Sequence, residues 1–212
     1  MNWDIKITKN SKTKLENTDF NNLGFGNTFS DHMFIADYYD NEWRDCRIVP
    51  FDNIEMHPAT FVLHYGQSIF EGLKAERSED GKILLFRPEE NAKRFVYSAE
   101  RIAMPPVPED LFLKSINELI KIDSDWVPQG IKNTSLYIRP FLFGADPALG
   151  VKVGDTYRYM VIIGPAGSYY AEEVNVWIQD KYVRAIPGGT GYAKFAGNYA
   201  ATLHPVKEAA DK

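Results

Sequence analysis

Short runs of apolar residues, broken at regular intervals by turn signals, dominate the first two thirds of the chain. Two runs rich in apolar and aromatic residues, 33–39 and 43–50, flank Asp40-Asn41-Glu42, which predicts a β-hairpin. Residues 61–70 form a short aromatic stretch split by Gly66, read as a helix leading into a strand over 72–77. Glu79-Asp80-Gly81-Lys82 marks a turn before the apolar run 83–87. Pro88, followed by Glu89 and Glu90, opens a helix that runs to Ile102 and stops at Met104-Pro105-Pro106. Leu111, Phe112, Ser115, Ile116 and Leu119 recur at helical spacing and predict a second helix. Residues 134–141 and 158–163 read as strands, with a loop bearing Gly144, Pro147 and Gly150 between them.

Before the hairpin, residues 1–30 are polar and read as an extended, weakly ordered arm ending in Gly24-Phe25-Gly26-Asn27. After the strands, Gly164-Pro165-Ala166-Gly167-Ser168 suits an interdomain linker. Residues 174–178 then begin a new strand, and a helix starts at Ala196 with Pro205 as an irregularity. The expectation is an α/β (α+β) protein of two domains: an arm over 1–30, an α/β domain over 31–164, a linker over 165–173, and the start of a second, incomplete domain over 174–212. One strand, one loop and one helix bury too little surface to stand alone.

Composition narrows the function classes. A net charge of -5 and a pI near 5.4 leave no basic footprint for nucleic acid. The single cysteine, Cys46, cannot form an internal disulfide, which suits a reducing cytoplasm. The first twenty residues lack the apolar core of a signal peptide, and no run approaches the roughly 18 apolar residues of a membrane span, so a soluble cytoplasmic protein is expected. His32, His57, His64 and His204 have no metal-ligand spacing. No Gly-x-Ser-x-Gly nucleophile elbow is present.

The chemistry concentrates in Pro187-Gly188-Gly189-Thr190-Gly191-Tyr192-Ala193-Lys194. Three glycines in four residues free the backbone to approach a ligand closely. Lys194 follows Ala193 and precedes Phe195, so the phosphate loop ending Gly-Lys-Ser/Thr is excluded. The dinucleotide fingerprint fails because lysine stands where its last glycine belongs. Lys194 is either a neutralised counter-ion or a reactive amine. Burial among small groups disfavours an ammonium, and a neutral amine attacks carbonyl carbon, as pyridoxal phosphate chemistry requires. Tyr199 lies five residues on, close enough to direct its phenol at the same ligand. Arg94 on the first long helix is a phosphate grip or a solvated helical arginine. Arg139, with Tyr137 on the same face of a strand, binds a carboxylate or makes a strand-end ion pair. The aromatics from Tyr65 to Phe70 are core or pocket wall.

Taken together, Leu63-His64-Tyr65-Gly66, Phe70-Glu71-Gly72-Leu73-Lys74-Ala75, Asn91-Ala92-Lys93-Arg94, Ser135-Leu136-Tyr137-Ile138-Arg139-Pro140, Leu149-Gly150-Val151, Lys181-Tyr182-Val183-Arg184-Ala185 and the glycine–lysine block resemble the branched-chain amino acid aminotransferases, pyridoxal-phosphate enzymes of fold type IV. The resemblance runs from about residue 55 to residue 203. It implies that Lys194 is the Schiff-base lysine, that Tyr199 bonds the pyridoxal 3-oxygen, and that Arg94 grips the 5′-phosphate. It implies that Tyr65, Phe70 and Tyr169 line the substrate side-chain pocket. Tyr137 is implied as a substrate-pocket tyrosine, and Arg139 as the arginine for the distal carboxylate of glutamate. The loop of Leu149 and Val151 would reach a partner's site, so a homodimer acting on amino acids and 2-oxo acids is implied. Ala196 departs from the family's usual glycine. The family also continues well past residue 212 with further cofactor contacts, so little or no transaminase activity is expected of these 212 residues alone.

Overall fold

The computed structural model describes residues 3–170 and 173–212. The hairpin forms as expected: β2 (His32–Tyr39) and β3 (Glu42–Pro50) pair antiparallel. Asp40 and Asn41 both take positive φ between them, the backbone that a two-residue hairpin turn demands. β1 (Lys6–Ile7) adds in parallel to the outer edge of β3. Then α1 (Phe61–Tyr65), capped by left-handed Gly66, leads into β4 (Ser68–Phe70), β5 (Leu73–Arg77) and β6 (Ile83–Leu85). Two helices follow, α2 (Pro88–Arg101) and α3 (Glu109–Ile122), and then the long strands β7 (Ser135–Gly144) and β8 (Tyr157–Ala166). They make one sheet in the order β1-β3-β2-β8-β7-β5-β6, with β4 pairing β7 beside β5.

The alternation of side chains assigns the two faces of this sheet. Phe34, Ala36, Leu136, Ile138, Leu142, Tyr159, Val161 and Ile163 point to the side of α2 and α3, whose Phe95, Leu111, Phe112, Ile116 and Leu119 complete the main core. The opposite face carries the smaller cluster of Met33, Ile35, Phe143 and Met160, and further along β7 it presents Tyr137 and Arg139. The helices cover one side, so a ligand site can be built only on the other or at the rim.

Three expectations need correction. The expected arm over 1–30 is, from residue 3 on, extended but not loose: Trp3, Ile5, Leu15 and Phe20 pack on the core. It is also pinned by polar bonds. Asp31 accepts from the Thr13 hydroxyl, the Lys14 N–H and the Trp126 indole. His32 accepts the Asn10 N–H at Nε2, which leaves Nδ1 as donor to Asp123 at 2.6 Å. Secondly, β8 continues through Gly164, Pro165 and Ala166, which pair with β7, so the expected linker begins inside a strand. Ala171 and Glu172, part of that linker, lie outside the described residues. Thirdly, residues 174–178 are not a strand. A strand exists only where a neighbour supplies a ladder, and none of the described strands pairs with this segment. Beyond the glycine loop the expected helix forms in two pieces, α4 (Ala196–Ala200) and α5 (Leu203–Ala210), with Pro205 inside the first turn of the second, where its missing N–H costs nothing. No described helix is long and apolar enough to cross a membrane.

Candidate active site

The site lies where the strand segment 68–77 breaks. β4 and β5 run along the same edge of β7, and between them the Glu71 N–H donates to Pro140 O at 2.8 Å. Odd positions through the break, Ile69, Glu71, Leu73 and Ala75, are all buried toward the helices. A carboxylate at one of four core positions must be compensated. The side chain of Glu71 is fully buried and accepts from Arg94 Nε at 2.6 Å, Arg94 Nη2 at 2.8 Å, Asn91 Nδ2 at 2.8 Å and the Gly72 N–H at 3.1 Å. Arg94 is thus clamped along one edge of its guanidinium, and half its side chain stays exposed. Next along, a Cβ on Gly72 would press on the Tyr137 hydroxyl and force that side chain to shift.

On the other face, Phe70 is the hub. Lys194 Nζ sits 4.5 Å from its ring centroid and Arg139 Cζ 4.6 Å, while the Tyr199 ring lies 4.8 Å away. Lys194 Nζ donates to the Tyr199 hydroxyl at 2.8 Å, and Arg139 Nη2 donates to the Tyr137 hydroxyl at 2.8 Å. Arg139 therefore leans on a phenol and a ring face, and among the described residues it meets no carboxylate and its buried Nε has no hydrogen-bond partner. Phe25 of the arm packs edge-on to both Tyr137 and Tyr169, with centroids 4.8 and 4.9 Å apart. Phe25, Phe29, Tyr137, Arg139, Ile162 and Gly164 border a cavity of about 160 Å³.

The glycine loop is folded against α2. Gly188 takes a left-handed conformation with φ 77°, and a Cβ on Gly191 would strike Ala185. Arg101 Nη2 donates to the carbonyls of Gly188 and Gly189. Buried Asn198 donates to the carbonyls of Thr190 and Ala193 and accepts from the Thr190 hydroxyl. Lys194 itself is bonded through both main-chain groups, its N–H to Ser98 Oγ at 2.8 Å and its carbonyl from the Phe70 N–H at 3.1 Å. Tyr199 is influenced most by burial, which works to raise its pKa. The hydrogen bonds and charges of Lys194 and then Arg184 outweigh that, and its phenol lies below the usual tyrosine range.

Of the residues singled out from the sequence, Phe70, Tyr137, Arg139, Lys194 and Tyr199 come together directly, with Arg94 attached through Glu71 and Tyr169 through Phe25. Tyr65 packs on Phe61 and His64 instead, and Leu149 and Val151 stand exposed on the loop before β8. Glu71, Ser98, Asn198 and Phe25 had been given no role. Glu71 could have been found, because a carboxylate at a core-facing position of an apolar alternation demands a partner. Ser98 could too, since Arg94, Ser98 and Arg101 share one helix stripe. Phe25 carried no signal, because only the return of the arm across β8 brings it to the site.

An amine touching a phenol on an aromatic face, with a clamped guanidinium on the adjoining helix, has the donor set that a phosphorylated pyridine aldehyde needs: one nucleophile, one partner for a ring oxygen, one cation for phosphate. The residues present fit such a cofactor. No family model matches the chain. The chain is 46% identical over 211 residues to branched-chain-amino-acid transaminase 1 of Bacillus subtilis (strain 168), covering 96% of this chain and 59% of that protein. It is 48% identical over 194 residues to the branched-chain-amino-acid aminotransferase of Mycolicibacterium smegmatis, covering 90% and 53%. Among solved structures, the branched-chain aminotransferase of Thermoproteus uzoniensis superposes with a TM-score of 0.64 at 22% identity, over 84% of this chain and 56% of that one. A further branched-chain amino acid aminotransferase, solved in complex with N-(5′-phosphopyridoxyl)-L-glutamate, superposes at 0.55 with 27% identity, over 79% and 51%. The fold is thus the mixed α/β fold of the class IV aminotransferases, about half of it. Within that class, the chain is a homologue of the branched-chain amino acid aminotransferases and spans little more than half the length of the relatives it matches.

Proposed function

We propose that the protein is a pyridoxal 5′-phosphate-dependent branched-chain aminotransferase, moving an amino group reversibly between L-leucine, L-isoleucine or L-valine and 2-oxoglutarate. The observation that carries this is the Lys194–Tyr199 pair on the face of Phe70, with Arg94 held on the adjoining helix. When bound, the cofactor supplies an electron sink that stabilises negative charge at the substrate Cα. Lys194 holds it and takes and returns the proton at the substrate Cα. Tyr199, its phenol shifted toward the anion by Lys194 and Arg184, would hold the cofactor at its 3-oxygen. Arg94, with Nε and Nη2 engaged by Glu71, would have Nη1 left to hold the phosphate.

Phe70 and Tyr169 offer apolar surface for a branched side chain, and Tyr65, packed on Phe61 and His64, would have to turn to join them. Arg139 serves the distal carboxylate of glutamate. Its standing bond to Tyr137 lets the guanidinium remain when leucine replaces glutamate, because an unpaired buried charge would be costly. Leu149 and Val151, exposed on their loop, suit a contribution to the site of a second copy in a homodimer. A division into an arm, a first domain that ends with β8 at Ala166, a linker and a second domain fits the placement of the site at their meeting, and a single buried cysteine suits the cytoplasm.

Borohydride reduction in the presence of pyridoxal 5′-phosphate, followed by peptide mass mapping, tests the assignment. The modification is expected on Lys194; labelling concentrated on another lysine overturns it. For the whole protein, amino transfer from L-leucine in preference to D-alanine is expected, and the reverse preference refutes the substrate class.

A further inference from the structure

Three side chains of α2 meet the cofactor region along one stripe. Arg94, Ser98 and Arg101 follow each other at four- and three-residue spacing, so they project from the same side of the helix. Arg101 fastens the start of the glycine loop through the carbonyls of Gly188 and Gly189. Ser98 fastens its end. The Ser98 hydroxyl is fully buried, donates to the Arg94 carbonyl at 2.8 Å and accepts the Lys194 N–H at 2.8 Å. One oxygen therefore joins the main chains of the two residues assigned to opposite ends of the ligand.

We infer that Ser98 is a positioning residue that sets the separation between the Lys194 amine and the Arg94 phosphate grip. The inference rests on the cofactor reading given above. A pyridine ring carrying an aldehyde and a phosphate is rigid, so gripping both ends at once needs their protein partners at one separation. Arg94 is placed by a regular helix. Lys194 comes at the end of a loop whose glycines give it little stiffness of its own. The loop acquires its position from outside: the Phe70 N–H on one side of the Lys194 peptide and Ser98 on the other. Loss of the hydroxyl leaves the Lys194 N–H unpaired and frees the amine to move relative to α2.

A two-ended ligand reads this coupling directly. Pyridoxal 5′-phosphate and pyridoxal share the aldehyde, and only the first can use Arg94. Borohydride trapping at Lys194 is compared for the two aldehydes in the unsubstituted chain, Ser98→Ala, Ser98→Thr, Arg94→Gln and the double variant Arg94→Gln/Ser98→Ala. The unsubstituted chain is expected to favour the phosphorylated aldehyde. In Ser98→Ala that preference should fall roughly tenfold, while Ser98→Thr, which keeps the hydroxyl, retains it. In the Arg94→Gln background Ser98→Ala should change the preference little, because the phosphate end is already lost. Ser98→Cys, close in volume and a much weaker hydrogen-bond partner, repeats the measurement if Ser98→Ala does not fold. A purely structural serine lowers trapping of both aldehydes equally and leaves the preference intact; that result overturns the inference alone. Equal trapping of both aldehydes in the unsubstituted chain overturns the cofactor reading and this inference with it.

Discussion

At the scale of single residues, the two arginines of the site are held in opposite ways. Arg139 leans on Phe70 and Tyr137 with no carboxylate partner among the described residues, whereas Arg94 is bound to Glu71 along a full edge. The first arrangement leaves a cation free to be used or bypassed; the second fixes a cation before any ligand arrives. Tyr199 shows the same logic from the acceptor side. Burial would raise its pKa, but Lys194 and Arg184 together pull it below the ordinary value. Lys194→Met removes the stronger of these two influences, so Tyr199 is expected to ionise at higher pH in that variant. The measurement is near-ultraviolet absorbance of tyrosinate during alkaline titration, taken as the difference between chains with and without Tyr199→Phe. An unchanged Tyr199 titration in Lys194→Met would show that the 2.8 Å contact carries no electrostatic weight.

At the scale of elements, the arm is as much part of the site as the strands. It crosses β8 at Gly164, where a Cβ would collide with the Thr28 carbonyl, and at Gly167, where a Cβ would press on the Leu23 carbonyl. The crossing is fixed by the Ser30 N–H to Ile163 O and the Gly167 N–H to Gly24 O. Both glycines serve backbone approach, since neither has positive φ. Gly164→Ala is therefore expected to destabilise the chain by about 1–3 kcal/mol and to loosen the arm. Urea unfolding reads the first effect and limited proteolysis within residues 3–30 the second. If the arm stays resistant and stability is unchanged, the close crossing does not hold Phe25 at the site.

At the scale of the whole molecule, the core between sheet and helices holds groups that resist ionisation. Burial pushes the Cys46 thiol up to about 11 and raises the Tyr159 phenol well above its usual value. Both are protonated in the folded state over a range where the unfolded chain releases its protons. A raised folded pKa contributes stability below the unfolded value, and that contribution disappears as pH rises through the folded one. Stability should thus decline from about pH 9 toward pH 11, with Cys46 accounting for about 2 kcal/mol. Denaturant unfolding at stepped pH tests this, and Cys46→Val should flatten the decline. A decline of equal steepness in Cys46→Val would assign the alkaline loss to other groups.

Local physics was legible in the sequence. The two apolar runs flanking the Asp40-Asn41 turn, Pro88 with its acids and the helical spacing from Leu111 to Leu119 each act over a few residues, and each formed the element expected. Tyr137 with Arg139 was legible because a spacing of two puts both on one strand face, and Lys194 with Tyr199 because both stand in one short block at the end of the glycine loop. What remained hidden depends on contacts between distant stretches. That residues 174–178 have no ladder, that β8 extends through Ala166, that Tyr65 turns to Phe61, and that Phe25 arrives from the arm are decisions of tertiary packing. Ser98 is the sharpest case: its helix stripe was in the sequence, but only the folded chain could supply the Lys194 N–H, 96 residues away, to its oxygen. The reason is that a hydrogen bond or ring contact is satisfied in space, and a spacing along the chain specifies space only within one helix, strand or turn.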